Sequence, residues 1–74
     1  MGQITTANVE DVFSYHAPSG DQPERYVKIR ESAKQFAKTI LECTPLCADQ
    51  SAALRLLREA VMTANASIAL NGVI

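Results

Sequence analysis

Residues 21–72 read DQPERYVKIRESAKQFAKTILECTPLCADQSAALRLLREAVMTANASIALNG. Asp21, followed three residues later by Glu24 with Pro23 between them, has the pattern of a capping box opening a helix. From there Tyr26, Ile29, Ala33, Phe36, Ala37, Ile40 and Leu41 recur at the spacing of one helix face. Pro45 biases Thr44 out of helical geometry, so this helix is expected to end near Cys43. At about 1.5 Å per residue, 22–43 would span roughly 33 Å. A second helix, starting at Asp49 or Ser51, carries Leu54, Leu57, Val61, Ala64 and Ile68 on one stripe, and Asn71-Gly72 is its expected stop. A connection of only about six residues makes such helices antiparallel neighbours. The predicted fold is all-α: an antiparallel two-helix hairpin.

Upstream, residues 1–20 form an arm in front of the 21–74 hairpin domain. Val9, Val12 and Phe13 are spaced for one short helical turn, and His16-Ala17-Pro18-Ser19-Gly20 is a turn-rich break. The second helix also has an additional apolar strip, Leu56, Ala60, Ser67 and Leu70, and many alanines that permit close helix approach. Two helices can bury one seam between themselves, and a helix apolar nearly all round must be covered on several sides. Assembly into a homo-oligomeric helical bundle is therefore expected.

Size leads to the same expectation. The chain has 74 residues with 47% hydrophobic and 20% charged, which suits a folded single domain. So short a chain buries only about 60% of its unfolded surface, and chains of this size lean on disulfides, metals or partners. Seven bases against eight acids give a net charge of −1. No apolar run reaches the roughly 20 residues of a membrane span. The opening MGQITTANVEDVF lacks the basic-then-apolar layout of a secretory signal. A cytoplasmic protein with no membrane partner is expected.

Two cysteines, Cys43 and Cys47, and a single histidine, His16, do not make a zinc-ligand set. The cysteines are read as reduced and packing a turn. Gly2, Gly20 and Gly72 are isolated, so there is no phosphate-cradling loop. One histidine and no G-x-S-x-G leave no nucleophile–base pair. Neither catalysis nor a cofactor is expected.

The charges are segregated. Residues 1–24 hold four acids and no base, whereas residues 25–38 hold five bases and one acid, Glu31. Lys28 and Lys38 are read as a solvated face pointing away from the apolar stripe. Arg30 instead falls on the flank of that stripe, with Lys34 one turn further along. On the second helix Arg58 and Asn65 share a face at the edge of the stripe, beside Met62. An arginine held against a seam must find an anion. It could be a carboxylate across a subunit interface, with Arg58 paired to Glu59 or Glu31. It could also be a small planar anion in an interfacial pocket. Tyr15, just before the turn, offers a stacking surface, which with Arg30 and Lys34 would complete the chemistry a nucleotide requires.

Several runs together resemble a family. They are Tyr15-His16-Ala17-Pro18, Gln22-Pro23-Glu24-Arg25-Tyr26, Ile29-Arg30, Ala33-Lys34 and Phe36-Ala37 in the first half. The second half adds Leu57-Arg58-Glu59-Ala60-Val61-Met62 and Ala64-Asn65-Ala66-Ser67-Ile68-Ala69. Across about residues 9–71 the chain resembles the small phage and prophage hairpin proteins known as anti-CBASS and anti-Thoeris sponges. The resemblance implies a non-enzymatic helical oligomer, commonly a hexamer. Such an oligomer traps cyclic dinucleotides, cyclic trinucleotides or cyclic ADP-ribose isomers in the bacterial host without cleaving them. It implies Tyr15 as a base-stacking residue and Arg30, where one branch of the family has lysine, as the phosphate contact. Ser32 corresponds to a hydroxyl residue of a separate trinucleotide site, but that site's second-helix arginine aligns near Ala66. Another branch uses second-helix arginines and an asparagine, matched by Arg58 and Asn65. The residues read as ligand-binding are Tyr15, Tyr26, Arg30, Ser32, Lys34, Arg58, Met62 and Asn65.

Two other classes compete. A helical adaptor would use Arg58 and Asn65 at an interface only. A nucleic-acid binder would exploit residues 25–38, but the net acidic domain has no wide basic surface.

Overall fold

The computed structural model describes residues 2–74 and contains three helices, α1 (Val9–Val12), α2 (Gln22–Cys43) and α3 (Ala48–Ala69), with no strand among the described residues. α2 and α3 pack against each other as the hairpin, and no Cα of α1 comes within 8 Å of either.

The ends of the helices differ in detail from the sequence reading. Asp21 occupies the N-cap of α2 but makes no side-chain capping bond. Its carboxylate instead pairs with Arg25 one turn on, at 3.3 Å, so the expected capping box is absent. The neighbouring Gln22 ties the entry turn down, accepting the Ser19 N–H at Oε1 (3.0 Å). Gly20, at φ +57°, supplies the left-handed residue that turns the arm into the helix. α3 begins at Ala48, one residue before Asp49, because Cys47 is extended at the N-cap and its carbonyl already accepts the Ser51 N–H. Its far end is a Schellman closure: Asn71 sits at φ +55°, its N–H bonds to Ile68 O, and the Gly72 N–H bonds to Ser67 O.

Two glutamines fasten the hairpin at opposite ends. Gln22 Nε2 donates to Ile68 O at 3.0 Å, joining the start of α2 to the last turn of α3. At the loop end Gln50 is 6% exposed. Its Nε2 donates to both the carbonyl and the hydroxyl of Thr44, at 3.2 and 3.1 Å. Gln50→Ala strands those acceptors, and the loss of each bond weakens the fold by about 0.5–1.5 kcal/mol. A fall in melting temperature of several degrees, read by circular dichroism, is the expected result for a domain this small.

The seam is thin. Among the described residues only Ile68 and Leu70 are buried hydrophobics, each 8% exposed. Phe36 and Leu41, assigned to the apolar stripe by spacing, are more than half exposed, as are Leu56 and Met62 on α3. One antiparallel helix covers only a narrow sector of its partner, so the edges of each stripe stay open. Cys43 and Cys47 are free thiols, and both are exposed rather than packed into the turn. No helix is long and apolar enough to cross a membrane among the described residues.

Candidate functional site

Ala33 on α2 and Leu57 and Val61 on α3 form a ridge along the hairpin, and a groove runs on each side of it. The difference between the two grooves follows from helical periodicity. On one flank α2 presents Arg30, Lys34 and Ala37, while α3 presents Leu54, Arg58 and Met62, each set at spacings of three or four. On the other flank lie Lys28, Ile29, Ser32 and Phe36 from α2, facing Ala60 and Ala64 from α3.

The first groove, about 310 Å³, is therefore cationic above an apolar floor. Arg30, Lys34 and Arg58 all line it, and no acidic residue does. Lys34 Nζ lies 3.5 Å from Glu31 on the solvent side of its own helix. Neither arginine has a carboxylate within 4 Å, so the pairing of Arg58 with Glu59 or Glu31 does not form within the chain. Three like charges facing one trough repel one another, and an anion lying between them removes that repulsion. Two guanidiniums can grip phosphate oxygens bidentately, while Leu54, Leu57, Val61 and Met62 supply the flat apolar surface that a ring needs. The trough is open and can cover only one side of a ligand. Enclosing most of a ligand, as binding sites normally do, requires a second wall.

The second groove is larger, about 440 Å³, and almost entirely apolar. Ser32 is placed here, across α2 from Arg30. So is Lys28, which lies along this groove rather than pointing away from the apolar surface. A third recess of about 260 Å³ lies beside the end of α3, lined by Thr63, Ala66, Ser67 and Leu70 together with Gly2 and Ile74. It has no cationic side chain.

Four of the residues singled out by sequence thus share one groove: Arg30, Lys34, Arg58 and Met62. The others do not join them within a single chain. Tyr15 is 87% exposed on the arm and lines none of the three hollows. Tyr26 is half-buried near the start of α2. Asn65 shares the α3 face of Arg58 but lies beyond the groove, and its buried Oδ1 has no hydrogen-bond donor among the described residues. Gln22 and Gln50, which hold the two helices in this register, escaped the sequence reading. For Gln50 the available signal was a glutamine at the third position of α3.

A hairpin of two 22-residue helices with a cationic groove agrees with the comparison to known families, in which the Acb2/Tad1 hairpin domain matches residues 5–69. The chain belongs to this family. No curated protein and no solved structure matches it. The Acb2/Tad1 family is that of the anti-CBASS and anti-Thoeris sponges, and the match extends past the hairpin to take in α1 and Tyr15. Residues 5–20 are thus part of the family domain.

Proposed function

We propose that this Acb2/Tad1-family chain is a homo-oligomer, most simply a hexamer, that sequesters cyclic nucleotide immune signals intact. In the cytoplasm of the bacterial host it would suppress CBASS or Thoeris defence. The observation that carries this reading is the groove in which Arg30, Lys34 and Arg58 stand over an apolar floor, neither arginine having an acidic partner. Phosphodiester anions satisfy that charge arrangement, and bases satisfy the floor. Sequestration needs affinity and slow release rather than transition-state complementarity. A set of cations without a nucleophile or general base suits that task.

Cyclic dinucleotides fit the groove best among the ligand classes considered. A separate trinucleotide site would use Ser32 and a second-helix cation near Ala66, but Ser32 lies in the apolar groove and the recess at Ala66 has no cationic side chain among the described residues. Cyclic ADP-ribose isomers, with a diphosphate in place of two separated phosphodiesters, would draw on Arg58 with Asn65.

In an assembly Tyr15 would come from the arm to stack on a base above the cations. A melting-temperature panel of cyclic dinucleotides, cyclic trinucleotides and cyclic ADP-ribose isomers tests the reading, because a ligand that binds only the folded protein raises its melting temperature. Stabilisation by at least one cyclic dinucleotide, and recovery of that nucleotide uncleaved after denaturation, is expected. A panel without a shift would mark the protein as a structural adaptor. Tyr15→Ala should leave the assembly intact and weaken calorimetric binding by the ~1–3 kcal/mol of a lost base stack.

A further inference from the structure

We propose that the arm is an exchange element: α1 and Phe13 of one copy occupy the apolar groove beside Lys28 in a second copy. This rests on the homo-oligomer proposed above and states what covers its open face. Gly2 lies in the recess beside Ser67 and Leu70, and Gln22 is bonded to Ile68 O. Between these points no Cα of α1 comes within 8 Å of either long helix, and Val9 and Val12 are half-buried. Val9, Val12 and Phe13 share one face of its turn, and Phe13 is 75% exposed. Glu10 and Asp11 flank that face, and neither forms an ion pair with a side chain among the described residues.

The larger groove has the opposite needs. Its walls are apolar, with Phe36 56% exposed in it. Lys28 stands along it without an acidic partner. An apolar turn edged by two carboxylates matches a long apolar groove edged by an ammonium group. The cationic groove is the smaller of the two, about 310 Å³ against 440 Å³, and is the one assigned to the nucleotide above. A two-fold arrangement makes the exchange reciprocal, each arm lying in the groove of the other copy.

Charge reversal in the full-length protein tests this directly. Glu10→Lys with Asp11→Lys places lysines against Lys28, and Lys28→Glu places a glutamate against the acidic arm. Each variant alone should self-associate about tenfold or more weakly by sedimentation velocity, with its helical circular dichroism intact because all three positions are exposed. Mixing the two variants, or combining all three substitutions in one chain, should restore association, since every arm again meets its complement. Either variant assembling like the parent, or a mixture that restores nothing, would overturn the exchange. So would restoration of the arm variant by Arg58→Glu in place of Lys28→Glu, which would move the arm to the cationic groove. A parent that is monomeric throughout sinks the oligomer itself, whereas an assembling parent with indifferent variants sinks only the arm.

Discussion

Replacing Arg30 and Arg58 together by alanine is expected to reduce cyclic dinucleotide affinity by more than about a hundredfold, while the unliganded protein melts no lower than the parent. The two halves of this expectation have one cause. Each arginine lines the same groove without a carboxylate partner, so each is free to make charge-assisted bonds to phosphate. Bonds of that kind contribute about 1.5–3 kcal/mol, or roughly ten- to a hundredfold in affinity for each arginine. In the empty groove neither arginine has an ion pair to lose, so removing them breaks no salt bridge. Calorimetry gives the first quantity and unliganded melting the second. Loss of stability together with loss of binding would identify the arginines as interface residues. Arg30→Lys separates charge from shape: a lysine keeps the positive charge but not the planar fork, and should fall between parent and alanine.

The second large effect concerns concentration. Among the described residues the hairpin has two buried hydrophobics, while Val27, Phe36, Leu41, Leu46, Leu56 and Met62 lie open on its surface and Ile4 and Phe13 lie open on the arm. A single copy with so thin a core should depend on its neighbours to stay folded. If association supplies the missing burial, diluting the protein about a hundredfold removes roughly 2.7 kcal/mol of stabilisation per association step. The melting temperature should therefore fall steeply with dilution, and helical signal should be lost at the lowest concentrations. A melting temperature independent of concentration would show that the hairpin stands alone. The arm-reversed chain, which cannot seat its own arm, should melt at a fixed concentration as the parent does when diluted.

Much of this could be read before any coordinates. The spacing from Tyr26 to Ile40 and Pro45 marked out the body of α2 and an end near Cys43, because an apolar period and a proline act locally. The placement of Arg30 and Lys34 on one flank, and of Arg58 and Met62 on another, also follows from a fixed turn of about 100° per residue. The capping box failed because a capping pattern states only which bonds are available. Asp21 had a competing partner in Arg25, and the entry turn was taken over by Gln22. Phe36 and Leu41 looked buried because periodicity shows which face is apolar but not how wide a sector its neighbour covers.

The sequence by itself determined the two helices, their antiparallel order and the segregation of acid from base, all of which depend on residues near one another along the chain. Only the tertiary structure decided that three cations from two helices share one trough, that Ser32 lies across the ridge from them, and that the arm leaves Phe13 exposed. Those facts depend on the register and rotation of α2 against α3. That register is held by Gln22 on Ile68 and Gln50 on Thr44, contacts between side chain and backbone that leave almost no trace in the pattern of polar and apolar residues.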